Sequence, residues 1–186
     1  MRQHQKFFSL KRKKTNRIEG FITVANIKTK DQGATILRGN QKVLSARLSD
    51  AKFFLENDLR VVNSGMLSWI EKLKNVTFHK KLGNQNERVE RLRVKSIELS
   101  DIVGANKKLV EQAALFAKAD LASEMVYEFP ELQGVMGSHY AKFCDFPVEV
   151  ALAIREHYSP LGPTDKCPTE PVSVPVSLAD KLDILI

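Results

Sequence analysis

Histidines are the first residues to consider for chemistry, because imidazole titrates near neutral pH and serves as base or metal ligand. His4, His79, His139 and His157 are scattered along the 186 residues, and no Cys-His or His-Asp-Ser combination lies close together in sequence. The chain also contains neither a GxxxxGK[ST] phosphate loop nor a GxGxxG loop. A catalytic site would therefore have to be assembled from residues that are distant in sequence.

Two acidic segments, KADL and LADKLD, suggest one metal site that can be compared residue by residue. HD phosphohydrolases hold a divalent cation with a His, an adjacent His-Asp pair and a distant Asp, and the cation activates water. Here the pair reads Ala119–Asp120, Asp180 would be the distant acid, and His79 would have to take the first position. Alanine has no ligand atom, and the neighbouring Lys118 would repel a cation. The pattern predicts an HD-like helical scaffold without its metal, in which both aspartates serve helix ends or salt bridges.

A GxxG segment, GVMG at 134–137, has the form that clamps a nucleic-acid backbone in some RNA-binding domains. Four residues are a weak match. We favour a glycine-kinked helix that packs closely on a neighbour.

Positive charge is concentrated at the start of the chain. Residues 1–50 contain 12 Lys and Arg against 3 Asp and Glu, a net charge of +9, while the remaining residues carry −2. A local surplus of this size favours a polyanionic partner, because each neutralised phosphate releases counterions. The candidate RNA contacts are the basic and amide side chains of this segment, namely Arg2, His4, Gln5, Lys6, Arg38, Asn40, Lys42 and Arg47. Taken singly, each is as well explained as solvated surface.

Cysteine usage and hydropathy indicate a cytoplasmic chain with no membrane segment. Cys144 and Cys167 have no CxxC spacing and fit a reducing compartment. No apolar run approaches the roughly 20 residues that span a bilayer, and the basic N-terminus lacks the apolar stretch of a secretory signal.

Apolar periodicity predicts a mainly α chain preceded by a short β-hairpin. Strands are expected at 4–9 and 20–27, and two strands alone are marginal in water, which suggests the remnant of a larger sheet. Helical spacing begins near residue 34, with a break or kink at Gly39–Asn40. The longest regular helix is expected over 105–129.

The predicted ends of the later helices follow from glycine, proline and serine. Gly104 is expected to stop the helix before it, and Ser177 is expected to cap a last helix. That helix reaches Ile186 within an apolar pattern, so the C-terminus is expected to be truncated.

A set of long motifs then resembles the β subunit of bacterial glycyl-tRNA synthetase. The motifs are MRQHQKFF, FITVANI, GNQKVLSARLSDAKFF, FHKKLG, AKADLASEMVYEFPELQGVMGSHYA, EHYSP and VSLADKLDIL. They follow the family's order and cover essentially the whole chain, although family members are several times longer. The motifs matched here do not include those of the family's C-terminal anticodon-binding region.

The resemblance implies a fold, a function and partners. Residues 1–49 would be the C-terminal part of a preceding mixed α/β tRNA-binding domain with a connecting helix, and 50–186 an HD-like helical domain truncated at its C-terminus. The chain would bind and position tRNA(Gly) for glycylation within an α2β2 heterotetramer. The α subunit would use ATP and Mg, and this chain would bind no cofactor or metal and lack a catalytic centre. Two alternatives remain open: a metal-dependent HD-type phosphohydrolase, and a purely structural subunit-contact module.

Overall fold

The computed structural model describes residues 7–185, which belong to two compact units, Met1–Asp50 and Ala51–Ile186. Eight α-helices and two small hairpins make up the described part of the chain. The prediction of a mainly α chain preceded by a short β-hairpin is confirmed. Across residues 7–185, no helix has the length and apolar character needed to span a membrane.

The first unit begins with an antiparallel hairpin of strands β1 (Phe8–Lys11) and β2 (Ile18–Ile22). Phe8 pairs with Ile22, and the Phe7 and Phe21 rings lie 5.5 Å apart on one side of the hairpin. The second strand thus starts and ends earlier than the predicted 20–27. Both strands are mostly exposed, as expected for a pair that is marginal alone.

Helix α1 (Ala34–Val62) is the longest helix of the described residues and runs without interruption through Gly39. Its first turn is capped by Asp31, whose carboxylate accepts the Thr35 amide at 2.8 Å, and hydrogen bonds from Thr29 and Thr35 hold the Asp31 pKa below its usual range. The predicted break at Gly39–Asn40 is wrong. One glycine costs a helix only about 1 kcal/mol, and the Asn40 amide donates to the Thr23 hydroxyl at 3.1 Å instead of competing for the helix backbone.

The second unit is a helical domain with a small hairpin near its start. Its helices are α2 (Leu67–Lys72), α3 (Gln85–Val103), α4 (Lys107–Phe116), α5 (Glu124–Glu128), α6 (Val135–Phe143), α7 (Val148–Glu156) and α8 (Ser173–Leu185). The strands are β3 (Thr77–His79) and β4 (Gly83–Asn84). Short 3₁₀ turns cover Leu73–Asn75, Ala119–Ala122 and Pro130–Leu132.

The core of this unit is closed around two aromatic side chains. Trp69 and Tyr140 are buried with ring centroids 5.1 Å apart. The fully buried aliphatic residues that share this core come from three helices and include Val89, Val110, Ala113, Val150 and Ile154. Burial of these side chains holds α3, α4, α6 and α7 together, because apolar area removed from water is the main favourable term in folding.

The single long helix predicted over 105–129 is wrong. Helix α4 ends at Phe116, a 3₁₀ turn follows, and α5 begins at Glu124. Buried Asp58 fixes the new start, since its carboxylate accepts the Glu124 amide at 2.9 Å, the Met125 amide at 3.0 Å and the Tyr140 hydroxyl at 2.6 Å. The apolar residues of 105–129 are spaced so that one side of the segment is buried, but the helix itself is interrupted.

Two other predicted helix ends have different outcomes. Helix α3 ends at Val103 and Gly104 follows in the left-handed conformation, as predicted. Helix α8 begins at Ser173 and not near Ser177, because the Glu170 carboxylate accepts the Val172 and Ser173 amides at 2.8 and 3.1 Å. Pro175 then lies in the first turn, where its missing N–H costs nothing.

Candidate functional site

Helices α3 and α8 face each other through two arginines and two aspartates. Arg88 and Arg91 are three residues apart on α3, and Asp180 and Asp183 are three apart on α8, so each pair lies on one helix face. Arg88 Nη2 donates to Asp180 Oδ1 at 2.8 Å, and Arg91 donates to both oxygens of Asp183 at 2.7 and 3.1 Å. Both aspartate side chains are about 5% exposed or less. Burial raises the Asp183 pKa, but the hydrogen bonds from Arg91 and the positive charges of Arg91, Arg88 and Lys95 together lower that pKa below its ordinary value.

These four side chains and Lys118 form a charge cluster, in which Lys118 is the third cation. Its side chain is fully buried, with Nζ 2.9 Å from Asp180 Oδ1 and 3.7 Å from the centroid of the Tyr158 ring. The approach to Asp180 is too oblique for a good hydrogen bond, but at this distance the charge attraction does not depend on that angle. Burial lowers the Lys118 pKa to about 8, and nearby Arg88 adds to the effect against the pull of Asp180.

Asp120 is committed to the backbone of the GxxG segment. Its Oδ2 accepts the amides of Gly134 at 2.6 Å and Gly137 at 2.9 Å, and burial raises its pKa to about 6 despite these bonds. A Cβ at position 137 would lie 2.8 Å from Ile154 Cγ2, so the helix approaches closely only because residue 137 is glycine. The amides that a nucleic-acid clamp would use are therefore occupied inside the domain.

His157 is a neutral buried histidine. Its Nδ1 lies 2.7 Å from the Ile154 carbonyl oxygen, which can only accept, so Nδ1 carries the proton. Burial and the Lys118 charge lower the His157 pKa well below its ordinary value. Among residues 7–185, Nε2 has no hydrogen-bond partner.

The residues at the HD positions do not fit a divalent cation. Ala119 has no donor atom, Asp120 binds backbone amides, and Asp180 is in contact with both Arg88 and Lys118. His79 is exposed on β3, away from these buried groups. In the part of the chain that the structure describes, no group of three or more His, Cys, Asp or Glu side chains is arranged for a metal. A metal-dependent phosphohydrolase is not supported by this set of side chains.

The predicted RNA contacts that fall on α1 occupy two sides of that helix. Arg38 and Lys42 are one turn apart and exposed. Asn40 and Arg47 lie about half a turn around from them and are partly buried, with Asn40 bound to Thr23. The structure thus brings Arg38 and Lys42 together on one exposed face. The other four candidates, Arg2, His4, Gln5 and Lys6, lie outside the described residues.

Sequence reasoning missed three members of the charge cluster, Arg88, Arg91 and Asp183. One signal was present: RVER and DKLD place opposite charges at the same three-residue spacing in two predicted helices. What could not be read is that these segments meet, because they are 92 residues apart.

Comparison with known proteins identifies the class to which this fold and charge pattern belong. The family described as glycyl-tRNA synthetase beta subunit matches residues 1–186, the whole chain. The chain belongs to this family.

Individual relatives agree with the family match. The chain is 64% identical to the glycine–tRNA ligase beta subunit of Ruegeria sp. (strain TM1040) and 59% identical to that of Paracoccus denitrificans, and all of the chain is covered in both. Identity to the beta subunit of Rhodospirillum centenum is 43%, again over all of the chain. The chain spans 27% of the first two relatives and 26% of the third, about a quarter of their length.

Proposed function

We propose that this chain contributes tRNA binding and positioning to a glycine–tRNA ligase. Family membership over residues 1–186 supports the proposal, since the relatives are named as beta subunits of that enzyme. Within this proposal, residues 1–49 belong to a mixed α/β tRNA-binding domain and 50–186 form an HD-like domain whose former metal positions hold a charge cluster.

The observation that carries the tRNA-binding role is the basic face of α1. The first 50 residues have a net charge of +9, and Arg38 and Lys42 extend from adjacent turns into solvent. Cations on one exposed helix face can meet successive phosphates, and such contacts position an RNA without reading its sequence. The described acidic residues of α1 begin only at Asp50, so this face carries no compensating acid.

The chemical steps are assigned to a partner in this proposal. An α subunit uses ATP and Mg to activate glycine, and this chain binds no cofactor of its own. The assembly is an α2β2 heterotetramer that acts on tRNA(Gly) in the cytoplasm. The side chains at the HD positions agree with a non-catalytic role, because arginine and lysine already neutralise the acid that a metal would need.

The test is a salt titration of binding between the purified chain and a tRNA(Gly) transcript. In the variant Arg38→Ala/Lys42→Ala, two phosphate contacts are lost. The slope of log K against log salt should fall by about 2, so raising salt from 50 to 200 mM should cost the variant about tenfold less affinity than it costs the wild type.

A matched control removes two exposed lysines elsewhere, Lys108→Ala/Lys142→Ala, on helices α4 and α6. The control should bind tRNA with nearly the wild-type slope. Absence of tRNA binding by the wild type at 50 mM salt, or equal losses in both variants, would overturn this assignment.

A further inference from the structure

The hairpin that joins α2 to α3 is a second basic element. Strands β3 and β4 pair through Thr77 with Asn84 and His79 with Gly83, and the turn between them consists of Lys80, Lys81 and Leu82. His79, Lys80 and Lys81 are all exposed. Among residues 7–185 neither lysine ammonium has an ion-pair partner, so two adjacent charges are available to a ligand.

The base of this hairpin is fixed by a helix cap. Asn84 accepts the Glu87 amide at 2.9 Å while Glu87 Oε2 accepts the Asn84 amide at 2.8 Å, which makes a capping box at the start of α3. Gly83 has a φ of +88°, and a Cβ there would lie 1.6 Å from Glu87 Oε2. Glycine is therefore required for the turn and the cap to coexist.

Two arginines of the charge cluster also contact the β3–β4 hairpin. Arg91 Nη1 donates to the Leu82 carbonyl at 3.1 Å while the rest of the same guanidinium is bound by Asp183. The Arg88 guanidinium lies 4.2 Å from the centroid of the Phe78 ring in β3. The two arginines that face α8 therefore also anchor strand β3 and the turn of the hairpin.

A concave surface lies beside the tip. It is an open depression of about 540 Å³, and it is lined by Lys80, Lys81, Leu82, Gly83, Glu87 and Arg91. Its lining has three cations and one acid, but Arg91 is already paired with Asp183 and the acid, Glu87, accepts the Asn84 amide, so Lys80 and Lys81 supply the surplus charge. A preorganised concave site with a surplus of positive charge suits an anionic group, and lysine binds phosphate as a point charge.

We propose that this hairpin is a second tRNA phosphate-binding element, in which Lys80 and Lys81 contact the RNA backbone and the Arg91–Asp183 pair positions them. The inference rests on the proposed function, and it extends that function to a site in the second unit. An RNA backbone is favoured over an acidic protein because the lining offers two lysines without ion-pair partners in the described part of the chain and a single large apolar side chain, Leu82, which is too little for the apolar core of a protein interface.

The experiment measures tRNA(Gly) binding by the full chain at 50 to 200 mM salt for Lys80→Ala/Lys81→Ala, with Lys108→Ala/Lys142→Ala as the control of equal charge. For the hairpin variant, the slope of log K against log salt should be smaller by about 2. Raising the salt from 50 to 200 mM should therefore reduce its affinity about tenfold less than it reduces that of the wild type. The control should behave as wild type. Arg91→Lys keeps the charge but loses the two-pronged bond to Asp183, and it should weaken binding severalfold.

Four results would overturn the proposal, and they are distinguishable. If Lys80→Ala/Lys81→Ala binds tRNA as the wild type does while Arg38→Ala/Lys42→Ala binds less well, the hairpin is not a tRNA site and the proposed function stands. Equal losses in the hairpin and control variants would mean a general charge effect. Loss of binding to polyglutamate without loss of tRNA binding would assign the hairpin to an acidic protein. Absence of tRNA binding by the wild type would end both proposals.

Discussion

Lys118 has the least usual environment of the described side chains. An ammonium group normally stays in water, and here it is enclosed by Asp180, the Tyr158 ring, and the further charges of Arg88 and Asp120. Its contact with Asp180 occupies the carboxylate that a metal ion would need. Removal from water is costly for any charge, so the lysine is held at the expense of stability at neutral pH.

This environment predicts a pH dependence of stability that Lys118→Met should abolish. The folded pKa is about 8 and the ordinary value is 10.5, so between these values the unfolded chain binds more protons and raising the pH stabilises the fold. The wild type should gain about 2 kcal/mol of unfolding free energy relative to the variant between pH 8 and pH 10. Urea unfolding at several pH values measures this difference.

The comparison between the two curves cancels the titration of groups that both proteins share, including Tyr158 and the exposed lysines. Parallel curves for wild type and Lys118→Met across this range would show that Lys118 is not buried as an ammonium.

The contact between helices α3 and α8 is the element whose loss should be most costly. Asp183 binds Arg91 through both oxygens and lies 3.5 Å from Arg88 Nε, with its side chain 3% exposed. Asp183→Asn would leave two guanidinium groups without this counter-charge in a buried site. We expect a loss of about 3 kcal/mol in unfolding free energy, measured by urea denaturation.

A second ion pair on the same helix supplies the control. Arg93 donates to Glu90 at 3.0 Å, but the Glu90 side chain is 48% exposed. Glu90→Gln should therefore cost less than about 1 kcal/mol. Similar costs for the two substitutions would contradict the buried role given to Asp183.

At the level of the elements, local signals were predictable and tertiary ones were not. Gly104 stops α3 because a left-handed residue ends a helix by itself, so sequence alone was enough. The start of α5 depends on Asp58, which lies 66 residues earlier in the chain. A local cap is also present, because the Ser123 hydroxyl accepts the Val126 amide at 3.1 Å, but the apolar spacing outweighed that single serine in the prediction of a continuous helix.

Across the whole molecule, the long motifs indicated the family, and the composition indicated the kind of partner. The basic surplus of residues 1–50 pointed to a polyanion, and the absence of a histidine beside Asp120 argued against a metal site. The basic hairpin was visible in sequence only as FHKKLG, because its anchoring depends on Arg88 and Arg91 meeting residues from two directions. The net charge of a segment can be counted from the sequence, whereas the contacts of its charged side chains are known only from the structure.

Cross-linking of the wild-type chain to tRNA(Gly), followed by mass spectrometry of the digested complex, would show whether α1 and the β3–β4 hairpin contact the RNA. We expect linked peptides from residues 34–47 and from 77–84, lost together as salt is raised from 50 to 200 mM. Linked peptides confined to other segments, or no link at 50 mM salt, would contradict this expectation.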